Sequence, residues 1–201
     1  MKHFSAALLA VLVMPLSSFA TTTWEIDSSH TTVGFKVKHL MISNVQGRFK
    51  DVKGTIEWND KDPDKSTVEV DIQAASVDTN EAKRDGHLKS PDFFDVQTYP
   101  KITFKSTSIE TTGGKTTVKG NLTMHGVTKP VILNVESVSA EAKDPWGSVR
   151  RAATATGRIN RKDFGLNWQK KLDSGGVVVG DDVSLMLEIE ATKKIEAPSK
   201  K

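Results

Sequence analysis

The chain of 201 residues contains no cysteine. That one absence excludes disulfides, a thiol nucleophile, thiolate zinc sites and a lipid anchor on cysteine. Aromatic residues are sparse, with a single Tyr and four Trp, and nothing in the chain approaches the roughly eighteen consecutive apolar residues of a membrane helix. An excess of one charge is missing too: 28 basic residues stand against 25 acidic ones, scattered along the chain. Such a balance leaves no nucleic-acid footprint. No G-x-S-x-G, P-loop or Gly-rich dinucleotide fingerprint occurs, and no cofactor is implied.

The first twenty residues are of another kind. Lys2 precedes the apolar run Ala6–Met14, Pro15 breaks it, and Ser18 and Ala20 occupy the small-residue positions of a cleavage site. The pattern predicts a secretory signal peptide over residues 1–20, cleaved before Thr21. The mature protein is therefore expected free and soluble in a bacterial periplasm, with a net charge of about +2 once Lys2 is lost. No linker divides the remainder, so residues 21–192 read as one domain, large enough to hold its core without disulfides. The polar stretch 193–201 reads as a frayed tail.

Within the domain, apolar and polar residues alternate with period two over Val33–Lys38, Val52–Trp58, Val68–Ala74 and Val183–Ile189, with shorter runs between. Gly113-Gly114, His125-Gly126 and Ser174–Gly176 mark turns. Eight to ten strands in hairpin order predict an all-β fold, an up-and-down antiparallel sheet closed on itself. An eight-stranded barrel is filled by its own side chains or holds one small ligand. Gly34, Gly54, Ala74, Ala153, Ala155 and Gly157 are expected to face inward and leave a gap, which either the chain or a ligand fills.

From Thr79 to Pro100 the alternation stops. Asp78 and Glu81 have capping-box spacing, predicting a short helix from near Asn80 toward His87. Gly86 and Pro91 keep it short, and Phe93, Phe94 and Tyr99 follow. Such an insert, spanning residues 79–95, covers or plugs something, and Phe93 and Phe94 are candidates to fill the barrel. His30, His39, His87 and His125 show no metal-ligand spacing, and no metal site is expected. Asp85 and His87 have the residue types of an acid–base pair but no evident nucleophile.

The run Arg84–Leu88, then Asp92–Asp95 and Tyr99–Phe104, resembles the YceI-like family of periplasmic lipid-binding proteins. So do Asp27–His30 with Val33–Leu40, Gly47–Phe49, Gly120–Val127 and Arg161–Gly165. This resemblance spans the mature chain and implies an extended lipocalin-like barrel with an apolar tunnel for a polyisoprenoid, such as an isoprenoid quinone or prenyl phenol, or another long amphiphile. It implies a non-enzymatic carrier or store with an inner-membrane donor or acceptor as partner, and the pattern leaves monomer and homodimer both open. By strand parity the lining comprises Phe35, Val37, Ile56, Trp58, Phe93, Phe94, Phe104, Leu133, Leu185 and Leu187. Arg84, His87, Asn167 and Trp168 are the head-group candidates. The alternatives are an enzyme acting on such a lipid through Asp85 and His87, or a stress-linked interaction protein with a structural lipid.

Overall fold

The computed structural model describes residues 21–173 and 175–194. The expected leader, Ser174 of the third turn, and the tail beyond residue 194 lie outside the described residues. The strands are β1 (Thr22–Ile26), β2 (Thr32–His39), β3 (Ser43–Phe49), β4 (Val52–Trp58), β5 (Thr67–Gln73), β6 (Val77–Asp78), β7 (Lys101–Thr112), β8 (Lys115–Met124), β9 (Val127–Val138), β10 (Ala142–Lys143), β11 (Val149–Asn160) and β12 (Val179–Lys193). Among the described residues one α-helix, α1 (Ala82–Lys89), lies between β6 and β7.

Strand β11 pairs with both β9 and β12, which closes the sheet into a ring. β2 and β1 lie end to end along one edge of β12, against Val179–Glu188 and Ala191–Lys193 respectively. β4 and β3, and then β5 and β6, follow the same interrupted course. Twelve segments therefore make an antiparallel barrel of eight staves, as the hairpin order predicted. The first interruption is local chemistry: Asp27 Oδ1 accepts from Ser29 N at 2.9 Å and Ser29 Oγ at 2.6 Å, turning the chain out of the ladder.

Two tight turns behave as their residues require. Gly113 and Gly114 have φ of 59° and 76°, and His125 and Gly126 have 52° and 73°. Positive φ at both central residues matches the right-handed twist of the strands they join.

Four expectations need correction. The helix begins at Ala82, because Glu81 is itself the N-cap, its carboxylate accepting from Lys83 N (3.1 Å) and Arg84 N (2.6 Å). Asp78 accepts instead from Asn80 N at 3.0 Å. Gly34 faces outward, sharing a cleft with Thr32, Arg48 and Glu188, because it alternates with Val33 and Phe35 on the inward face. Lys193 is no tail residue: it ends β12 opposite Trp24.

Candidate functional site

Because directly opposed residues share a face, the ladder registers fix the interior. Val37, Phe35 and Val33 oppose Val183, Leu185 and Leu187, while Ala153, Ala155 and Gly157 of β11 oppose Ile189, Leu187 and Leu185. Two apolar cavities lie in this interior, at opposite ends of β12.

The larger, about 190 Å³, lies under the insert against Phe35, Val37, Val45, Leu88, Phe93 and Trp168. Local hydrogen bonds hold the insert there. Arg84 donates to Thr79 Oγ1 and Thr79 O, both at 2.7 Å, and Asp85 accepts from Thr79 N at 2.9 Å. Phe94 N donates to Leu88 O, and the Phe94 ring meets Phe49 edge-on at 5.5 Å. His87 stands perpendicular to both Phe93 (5.0 Å) and Trp168 (5.2 Å).

Trp168 is positioned by a residue that sequence reasoning quoted without a role. Arg161, 3% exposed, donates to Gly180 O, Leu166 O, Trp168 O (2.9 Å) and Asp181 Oδ1 (3.0 Å). Burial lowers its pKa from the usual guanidinium value, and Asp181 opposes that shift. The visible signal was an Arg immediately after an alternating strand and before an irregular segment, since loop carbonyls leaving a ladder need donors.

The smaller cavity, about 100 Å³, lies at the far end against Trp24, Ile56, Trp58, Val118, Ile189 and Arg151. Between the two ends the barrel is packed. Leu133 Cδ2 and Leu185 Cδ1 occupy the space over Gly157, and the Phe104 ring covers Gly120. Part of the expected gap is thus filled by neighbours on the sheet, and part by Phe93 and Phe94, which are 6% and 8% exposed.

Of the expected lining, Phe35, Val37 and Phe93 border the insert-end cavity, and Ile56 and Trp58 the far one. Phe94 and Phe104 are core residues, with Leu133 packed against that core. Leu185 and Leu187 hold inward register positions opposite Phe35 and Val33. Of the head-group candidates, Arg84, His87 and Trp168 border the insert-end cavity. Asn167 is exposed. His87 Nε2 lies 2.8 Å from Asp92 Oδ2 while Asp85 bonds Thr79, so Asp85 and His87 each bond another residue. Trp24 and Arg151 were missed: a Trp on a five-residue strand and an Arg among alanines carry no motif.

Outside the barrel, Asp27, His30 and Glu190 converge. Their cation is already in place: Arg150 Nη1 lies 2.6 Å from Asp27 Oδ2 and 2.7 Å from Glu190 Oε1, with Nε 2.9 Å from Asp144.

The family model for the YceI-like domain matches residues 24–191, nearly the whole barrel. The chain belongs to the YceI-like family. A UPF0312 protein of Photorhabdus laumondii is 40% identical over 185 residues, covering 91% of this chain and 93% of its own. Among solved structures, the Campylobacter jejuni YceI protein superposes with a TM-score of 0.65 at 35% identity, over 84% of this chain and 96% of that one. A polyisoprenoid-binding domain from Saccharophagus degradans shares the fold at 18% identity, with a TM-score of 0.61 over 86% and 99% of the two chains. The YceI-like barrel is thus common to proteins whose sequences have diverged widely.

Proposed function

We propose that this YceI-like barrel binds a long amphiphilic lipid, a polyisoprenoid such as an isoprenoid quinone or prenyl phenol, and carries or stores it in the periplasm without chemically changing it. The observation that carries this reading is the pair of apolar cavities at the two ends of one closed barrel. An isoprenoid tail exposes dozens of carbon units, each costing about 0.8 kcal/mol in water, so it crosses an aqueous compartment only inside an apolar cover. The Saccharophagus degradans domain, described as polyisoprenoid-binding, gives the same fold a matching ligand class.

The two cavities fall short of the roughly 300–1,000 Å³ of ordinary ligand pockets. A tail joining them must turn aside the side chains between them, Leu133 and Leu185 over Gly157 among them. The ten expected lining residues then form the tail's walls, and Arg84, His87 and Trp168 edge the opening at the insert. Delivery to and from the inner membrane fits such a carrier.

The test is the intact mass of mature protein from its native compartment, recorded native and then denatured. A discrete extra mass released on denaturation and identified by extraction supports the carrier and names its cargo. Bare protein that also takes up no added isoprenoid quinone overturns it. His87→Ala separates the enzymatic alternative: an enzyme loses a turnover that wild type shows while fold and binding stay, whereas a carrier shows no turnover in either form and loses at most some stability or affinity.

A further inference from the structure

Three buried side-chain nitrogens have no hydrogen-bond partner among the described residues: Trp24 Nε1, Asn59 Nδ2 and Arg151 Nε. All three are donors, and all three belong to the end of the barrel away from the insert, where β1 begins, β4 ends and β11 begins. A buried donor left unpaired costs about 1–3 kcal/mol, so three at one end call for an explanation. Trp24, 2% exposed, and Arg151 both line the apolar far-end cavity of about 100 Å³.

The surroundings define what would pair with them. The Arg151 guanidinium carbon lies 5.4 Å from the Trp24 ring centroid and 5.7 Å from that of Trp58. Its Nη1 donates to Asp60 Oδ1 at 3.0 Å, which also accepts from Trp58 Nε1 at 2.8 Å. The charge of Arg151 is therefore already met, while its Nε–H remains free among the described residues. Lys193, 5.6 Å from the Trp24 ring, is likewise paired, 3.3 Å from Glu141. Free N–H groups beside neutralised cations and apolar walls favour a neutral acceptor over an anion, which would have to displace Asp60 or lie desolvated beside it. Water fits less well, since it brings donor hydrogens of its own to a largely apolar wall.

We propose that the Trp24–Arg151 cavity is the head-group site of this barrel and takes a neutral hydrogen-bond acceptor, a carbonyl oxygen carried by the lipid. The inference rests on the carrier reading above and adds its polarity: the head lies at the Trp24 end and the tail runs toward the insert. Arg84 and His87 are then not its hydrogen-bond donors, which agrees with their existing bonds to Thr79 and Asp92. A hydrocarbon terminus in the same cavity would leave both N–H groups unpaired.

The experiment compares binding of a short-chain ubiquinone and of squalene, which has no polar head, to the full-length mature protein and to Trp24→Phe and Arg151→Lys. Trp24→Phe keeps a ring and removes the N–H; Arg151→Lys keeps a cation for Asp60 and removes Nε–H. Wild type should favour the quinone, and each variant should lose about tenfold of quinone affinity, the scale of one hydrogen bond, with squalene unchanged. Equal binding of the two probes by wild type, or variants that keep full quinone affinity, overturns the head-group site and leaves the carrier standing. Wild type that binds neither probe overturns both. Should the variants fail to fold, infrared difference spectra of carbonyl-labelled quinone on wild type decide: a carbonyl band lowered in frequency supports the site, and an unshifted band overturns it.

Discussion

Gly47 lies against the Phe35 ring: a Cβ there would stand 2.4 Å from Phe35 Cζ and 2.7 Å from Thr79 Cγ2. The same ring borders the insert-end cavity. Gly47→Ala is expected to destabilise the fold by about 1–3 kcal/mol through overpacking and to reduce lipid uptake together with it, read by urea unfolding and by probe binding. Asp27 shows electrostatics at the same scale. Hydrogen bonds from Ser29, then Arg150 and His30, hold its carboxyl well below the usual carboxylate range. A depressed folded-state pKa means that its stabilisation is full above the unfolded value, about 3.9, and is lost as pH falls below it. Asp27→Asn should cost about 1.5–3 kcal/mol at neutral pH, and the gap to wild type should narrow from about pH 4 downward, measured by denaturation across pH.

The insert is the element whose boundaries were least legible. The capping-box spacing made Asp78 the expected cap and Glu81 only its partner in the box. The fold chose Glu81 because Asp78 lies in β6, paired with Arg48, and so cannot also start the helix. Glu81→Ala should therefore destabilise the protein by about 1 kcal/mol, while Asp78→Ala should leave helix capping intact. Gly86 gives the opposite sign. It is exposed within α1, and a Cβ there meets nothing within 4 Å. Gly86→Ala should stabilise by about 0.5–1 kcal/mol, seen as a raised melting temperature, because the unfolded chain loses freedom at no steric cost.

At the scale of the molecule, closure matters most. β12 carries β11 along one edge and β2 and β1 in succession along the other, so it joins both halves of the barrel. Arg161 ties the start of β12 to the segment that holds Trp168, while Arg150 ties Glu190, near its end, to Asp27 and Asp144. A ligand inside this ring binds only the closed state. Saturation with an isoprenoid quinone at about a hundred times its dissociation constant should raise the unfolding free energy by about 2.7 kcal/mol, with a concentration-dependent melting temperature. A melt independent of added quinone would contradict interior binding.

The amino-acid sequence alone determined the class of this protein. Period-two alternation, the Gly113-Gly114 and His125-Gly126 turns and the break at Thr79 are local properties, and local sterics and patterning suffice to specify strands, hairpins and an interrupting helix. Strand parity likewise determined which face of β4 and β12 turns inward, whereas on β2 both Gly34 and its neighbour Phe35 were expected inside and the ladder register separated them. Which inward residues border empty space and which fill it was decided only by the tertiary structure, because that depends on partners distant in sequence: Leu133 and Leu185 over Gly157, Phe104 over Gly120. The same holds for polar groups. Arg84, His87 and Asp85 look available along the chain and have hydrogen-bond partners in the fold, whereas Trp24 and Arg151 look ordinary along the chain and, among the described residues, keep unpaired N–H groups beside a cavity. Hydrogen-bond satisfaction is a property of three-dimensional neighbourhoods, which a sequence pattern does not contain.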